Sequence, residues 1–197
     1  AHSMSEHQQN SNTTQANVIR LADYQPPEFT TDHVTLNFEI YDDYTIVRSS
    51  TTYKRTEHGA TTQELVLDAE DPTPADSPAY IRAVTADEVT LAEGQGYVYD
   101  SDRNQLRIPI DADKDEMTVE VETYLEPQHN TALSGLYESD HCLVTQCESQ
   151  GFRRITPFLD RPDVMAEFDV TIEAPQGGYP VLLSNGNHVD GGELDND

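Results

Sequence analysis

The feature that most constrains the fold of this chain is a strict alternation of apolar and polar residues in three segments. Residues 34–40, 117–125 and 166–174 place an apolar side chain at nearly every second position. Successive side chains of a β-strand point to opposite faces, so this period buries one face of a sheet and leaves the other in water. Each segment therefore predicts a strand, and no stretch of the sequence shows the 3.6-residue period of a long amphipathic helix.

Shorter apolar segments between turn signals predict further strands. They are residues 45–54, 65–67, 81–85, 89–91, 96–99, 106–110 and 181–184. Three prolines between Asp71 and Pro78 predict a loop, because proline cannot sit inside a sheet. At most one turn of helix fits around residues 161–165. Many short strands separated by turn signals indicate an all-β fold, a β-sandwich or a related open architecture.

The length of the chain fits one domain preceded by a polar tail. Residues 1–22 of the 197 are nearly all polar, so they cannot bury enough apolar surface to offset the entropy of ordering. We expect a disordered tail there, in which Ala1, His2 and Ser3 are a cloning remnant ahead of Met4. Residues 23–197 are predicted to form a single β-rich domain.

The charge balance is strongly acidic. The chain carries 37 acidic and 11 basic residues, a formal net charge of −26. Such a field repels phosphate, so nucleic acid and anionic membranes are not expected as partners. The acids are scattered over many segments, which favours a solvated surface over a binding site.

The cysteines and the start of the chain bear on its compartment. Cys142 and Cys147 are the only cysteines, too few for a disulfide framework, and reduced thiols are expected. There is no apolar run of about 20 residues that could span a bilayer. No hydrophobic signal segment opens the sequence. These features predict a cytoplasmic protein.

Known catalytic motifs are missing from the sequence. It has no His-Glu-x-x-His pair, no nucleophile elbow and no phosphate-binding loop, so we expect neither catalytic residues nor metal ligands in this chain. Asp111, Asp113 and Asp115 have the spacing of a calcium loop, but Glu116 stands where that loop requires glycine. A solvated hairpin tip is expected there. An acidic β-sandwich that binds calcium or carbohydrate on its own is kept as the alternative function.

Residues 127–164 have no sustained period, yet they are rich in apolar side chains. A segment of this length without periodicity predicts a packed functional loop. It contains the runs NTALSGLY from Asn130, TQCE from Thr145 and GFRRITPFLDRPDV from Gly151. These runs resemble the N-terminal domain of the aminopeptidase N (alanyl aminopeptidase) family of zinc metallopeptidases, in its proteobacterial form. The sequence LLSNGN at 182–187 extends the resemblance.

The resemblance implies a saddle-like, mostly antiparallel β-domain that packs on a catalytic domain of the same chain. Zinc would bind in that second domain, and the full-length protein would remove N-terminal residues from peptides with a free N-terminus. The present fragment would be inactive by itself. It would stop before its last strands, with residues 195–197 as a turn, and the exposed sheet edge would then invite self-association.

The resemblance also implies site residues. The glutamate at Glu148 would bind the free α-amino group of the substrate, and Gln146 would line the same pocket. A carboxylate paired with an ammonium group forms a strong charge-assisted hydrogen bond. The charged residues Arg153, Arg154, Asp160 and Arg161 are predicted to fix this loop by ion pairs rather than to act in catalysis.

Overall fold

The computed structural model describes residues 20–194. Residues 1–19 of the predicted tail lie outside the described residues. The predicted turn at 195–197 lies outside them as well. The described part forms β-strands and short 3-10 helices, with no α-helix. The strands are β1 (Phe29–Thr30), β2 (His33–Ile40), β3 (Thr45–Arg55), β4 (Glu64–Asp68), β5 (Ile81–Ala86), β6 (Val89–Thr90), β7 (Val98–Asp100), β8 (Gln105–Pro109), β9 (Glu116–Leu125), β10 (Gly135–Ser139), β11 (Cys142–Gln146) and β12 (Glu167–Glu173). The 3-10 helices are Leu21–Asp23, Glu57–Gly59, Pro127–His129 and Phe152–Arg154.

A seven-stranded sheet forms the body of the domain. Its strand order is β12-β2-β3-β9-β5-β6, and β1 pairs with one end of β3. The pairing of β3 with β9 extends from Thr45 opposite Leu125 to Lys54 opposite Glu116. All pairs in this sheet are antiparallel except β12 with β2, which run parallel. A second sheet has the order β4-β8-β7, and β10 and β11 form a separate hairpin.

Alternation along the strands produces the core. In β9, Met117, Val119 and Val121 are buried, while the residues between them are partly or fully exposed. Leu65 of β4 and Leu106 of β8 are buried in the same hydrophobic cluster. Burying one such side chain contributes roughly 1.5–3 kcal/mol. The predicted all-β, mostly antiparallel fold is confirmed.

Three local predictions were wrong or incomplete. Residues 181–184 form no strand, because no described strand pairs with them and Val181 and Leu183 lie exposed. Residues 161–165 form no helix, only a turn in which the Val164 amide donates to the Arg161 carbonyl. The segment 127–164 is not purely irregular, since it contains the β10–β11 hairpin.

Candidate functional site

The β10–β11 hairpin positions the candidate site. Its two strands pair from Gly135 opposite Gln146 to Ser139 opposite Cys142. Asp140 and His141 connect them, and both have positive φ, 49° and 61°. Two such residues in sequence form the tight turn that matches the twist of an antiparallel pair. The tip of the hairpin therefore lies at its opposite end from Gln146.

Gln146 and Glu148 lie together at the base end of the hairpin. After Gln146, residues 147–151 form a turn that is closed by a hydrogen bond from the Gly151 amide to the Cys147 carbonyl, 2.8 Å. The Gln146 side-chain amide donates to the Glu148 carbonyl oxygen at 3.3 Å. Both residues are exposed, and the Glu148–Ser149 peptide bond is cis. Residues 147–151 are called the 147–151 turn. The structure thus places the two sequence-predicted substrate residues close together, with Gln146 at the end of β11 and Glu148 on this turn.

A cluster of three charged residues lies at the base of this turn. The Arg153 guanidinium donates from Nε to Oδ2 of Asp160 at 2.9 Å, and its Nη1 lies 3.3 Å from Oδ1 of Asp68. The side chains of Arg153 and Asp160 are only 16% and 11% exposed. The Asp160 amide also donates to the Asp68 carboxylate at 3.2 Å. This Arg153 cluster fastens the end of the turn to β4, as the predicted ion pairs require.

Burial and charge act in opposite directions on Asp68. Burial raises the pKa of this carboxyl above its ordinary value, while the Arg153 charge lowers it. The backbone carbonyl of Arg153 accepts hydrogen bonds from the Tyr80 hydroxyl at 2.8 Å and the Glu70 amide at 3.0 Å. The side chain of Arg154 pairs with Glu70 at 2.5 Å. The segment after the turn is therefore held by contacts with several parts of the domain.

Cys147 has the surroundings of a packed thiol rather than a nucleophile. Burial, with a smaller effect of the Asp160 charge, raises the pKa of its thiol to about 11. A thiol with that pKa is almost fully protonated at neutral pH, and the thiolate is the reactive form. His141 lies at the far tip of the hairpin, so it is not placed to act as a base.

Asn130 is a structural residue whose role sequence reasoning missed. Its side-chain amide donates to the carbonyl oxygens of Ser134 and Leu136 at 2.8 and 2.9 Å. Its side-chain oxygen accepts from the Ala132 amide at 3.1 Å, and the residue is only 6% exposed. Asn130 thus fixes the backbone that leads into β10. The signal available in the sequence was that Asn130 is the first residue of the NTALSGLY run, which carries part of the family resemblance.

An arginine binds the segment that has the spacing of a calcium loop. The Arg55 guanidinium donates to the carbonyl oxygens of Asp111 and Lys114, each at 2.9 Å. Carbonyl oxygens are typical calcium ligands, and here an arginine uses them. Within residues 20–194, no three His, Cys, Asp or Glu side chains are grouped to hold a metal ion. In that same range no helix has the length and apolar character needed to cross a membrane.

The chain is similar to known proteins over most of its length. A family model described as the peptidase M1 N-terminal domain matches residues 26–197. The chain is 36% identical over 174 residues to aminopeptidase N of Haemophilus influenzae, covering 88% of this chain and 18% of that protein. It is 39% identical over 177 residues to aminopeptidase N of Caulobacter vibrioides, covering 90% and 19%. The chain therefore spans about a fifth of the length of these curated relatives.

Solved structures share the fold. Legionella pneumophila aminopeptidase A, determined in complex with aspartic acid, superposes with a TM-score of 0.78 and 29% identity over 90% of this chain and 20% of that one. Native yeast LTA4 hydrolase gives a TM-score of 0.56 with 16% identity, over 75% of this chain and 23% of that one. At 16% identity the second likeness shows the fold alone.

Proposed function

The chain belongs to the peptidase M1 N-terminal domain family, and on that premise we propose that it binds the free α-amino group of the substrate in a zinc aminopeptidase. Glu148 accepts hydrogen bonds from the substrate ammonium group, and Gln146 lines the same pocket. The full-length protein removes N-terminal residues from peptides. Hydrolysis is carried out by the part of the protein beyond this chain, so the chain alone is inactive.

The observation that carries this proposal is an exposed carboxylate on a turn whose base is buried. Glu148 and Gln146 face solvent, while Gly151 at the end of the turn is buried and the Arg153 side chain is largely shielded. A group that must meet a ligand has to be exposed in the free domain and yet fixed in position. The Arg153 cluster and the closing hydrogen bond of the 147–151 turn supply the fixed position.

The chemistry of the pair explains a requirement for a free N-terminus. An ammonium group and a carboxylate form a short charge-assisted hydrogen bond, which strengthens when the remainder of the protein excludes water. A blocked peptide would leave the Glu148 carboxylate desolvated and unpaired, which costs several kcal/mol. The net charge of −26 also favours the approach of a cationic group.

The described residues offer no grouped ligands for zinc. A structural or catalytic zinc site needs three or four His, Cys, Asp or Glu ligands, and residues 20–194 present no such group. We therefore propose that zinc binds in the remainder of the full-length protein. The described residues bind and orient the amine end of the substrate.

The test is Glu148→Gln in the full-length enzyme. Glutamine keeps the size of the side chain but removes its charge, so KM should rise and kcat/KM should fall roughly 30-fold, equivalent to about 2 kcal/mol. Glu138→Gln is the matched control, because Glu138 is an exposed glutamate on the same hairpin. It should leave both constants unchanged. Equal kinetics for Glu148→Gln and the wild type would remove Glu148 from the site.

A further inference from the structure

Gly151 is a position where a side chain has no space. A Cβ atom built there would lie 2.6 Å from the Gln146 carbonyl oxygen and 2.7 Å from the Cys147 Cα, both backbone atoms. It would also lie 2.9 Å from Oγ of Ser134. Contacts of a real Cβ atom below 3.0 Å are essentially never seen. The φ of Gly151 is an ordinary −111°, so the requirement for glycine comes from packing and not from backbone conformation.

A second glycine lies beside it. Gly135 opens β10 opposite Gln146, and a Cβ there would lie 2.8 Å from the Cβ of Arg154 and 3.5 Å from the Gly151 carbonyl oxygen. Its φ is +79°, which further favours glycine. The chain that enters the hairpin and the chain that leaves the 147–151 turn therefore cross in close contact at two glycines.

We propose that Gly151 is a positioning residue that sets where Gln146 and Glu148 lie relative to the substrate amine. This inference rests on the proposed function. The two backbone groups that a Gly151 side chain would displace belong to Gln146 and Cys147, which directly precede Glu148. Backbone atoms cannot rotate out of the way as a flexible side chain can. Any methyl group at Gly151 must therefore shift the turn that carries the carboxylate.

The consequence is specific to recognition of the amine. A charge-assisted N–H···O bond has a narrow optimum near 2.7–2.9 Å, so a shift of several tenths of an ångström weakens it. A misplacement of about 1 Å in an enzyme site can cost as much as 100-fold in rate. In the proposed function, Glu148 contacts only the amino group of the substrate. A Gly151 variant should consequently lose its preference for amine-bearing ligands and keep its affinity for ligands without the amine.

The experiment measures inhibition of the full-length enzyme by leucinamide and by 4-methylpentanamide, which is the same molecule without the amino group. Gly151→Ala should reduce the preference for leucinamide by about tenfold or more, with the inhibition constant of 4-methylpentanamide within about twofold of wild type. Gly177→Ala is the matched control, since a Cβ at Gly177 would meet no atom within 4 Å. It should retain the wild-type preference.

Glu148→Gln separates this inference from the proposed function. If Glu148→Gln loses the preference for leucinamide while a folded Gly151→Ala keeps it, the positioning role of Gly151 is refuted alone. If Glu148→Gln itself keeps the preference, the proposed function is refuted. Should Gly151→Ala fail to fold, Ser134→Thr adds a methyl group to the side chain whose Oγ lies beside this space. It should shift the preference in the same direction by a few-fold, and an unchanged preference in that variant would overturn the inference.

Discussion

Removing the Arg153 guanidinium should destabilise the domain far more than removing an exposed arginine. In Arg153→Met, Asp160 loses the 2.9 Å partner of its carboxylate and the 3.1 Å donor to its carbonyl oxygen, and Asp68 loses its 3.3 Å ion pair. Breaking a fully buried ion pair costs about 3–5 kcal/mol. Because Asp68 is 30% exposed, solvent screens part of this, and we expect about 2–3 kcal/mol.

The loss of stability in Arg153→Met should depend on pH in a defined direction. Burial already raises the pKa of Asp68, and Arg153 opposes that rise, so the pKa increases further in Arg153→Met. A carboxyl whose pKa is higher in the folded than in the unfolded state ionises more readily when unfolded. Stability is then lost as the pH rises through the interval between the two values. The destabilisation by Arg153→Met should therefore be largest near neutral pH and shrink as the pH falls toward the ordinary aspartate value of 3.8.

Urea unfolding of the chain, followed by far-ultraviolet circular dichroism at about pH 7 and about pH 4.5, measures both effects. The control is Arg103→Met, because Arg103 pairs with Asp100 at 2.7 Å but is 68% exposed. An exposed pair contributes little to stability, because solvent screens it. Equal costs for the two variants, or a cost of Arg153→Met that is the same at both pH values, would refute the argument.

Three other predictions concern the same region. Arg161 holds the pKa of Asp163 at about 2, so the stability that the Asp163 carboxylate contributes is present above the ordinary pKa of 3.8 and is lost as the pH falls toward 2. In thermal melts, Asp163→Asn should lose less stability than the wild type over that pH interval, by about 1 kcal/mol. Asn130→Ala should lower the free energy of unfolding in urea by about 2–3 kcal/mol, because buried backbone groups lose their partners. Iodoacetamide at about pH 8 should modify exposed Cys142 at least tenfold faster than Cys147, and equal rates by peptide mass spectrometry would contradict the packed state of Cys147.

The strands that the sequence predicted well are those with a long one-sided alternation. Residues 117–125 were predicted and β9 spans Glu116–Leu125, because a half-buried strand must repeat every second residue along its own length. The parallel pairing of β12 with β2 could not be predicted, since it joins segments about 130 residues apart. The β10–β11 hairpin was missed because only the Leu136 end of β10 is buried and its other end faces solvent. The alternation of apolar and polar residues is therefore too short to detect in the sequence.

The proposed site residues could be named only through the family resemblance, and the structure gives a physical reason. Glu148 is one exposed acid among 37, and the ligand proposed for it would come from outside the chain, so nothing in its immediate sequence distinguishes it from a solvated surface residue. The residues with detectable structural constraints are those that support the 147–151 turn. A largely shielded arginine, a buried asparagine and a glycine forced by packing all fall between residues 130 and 153. Constraints of packing and hydrogen bonding such as these concentrate where a surface must be held in one shape. A search for a functional turn is therefore better directed at the residues that fix the turn than at its exposed side chain.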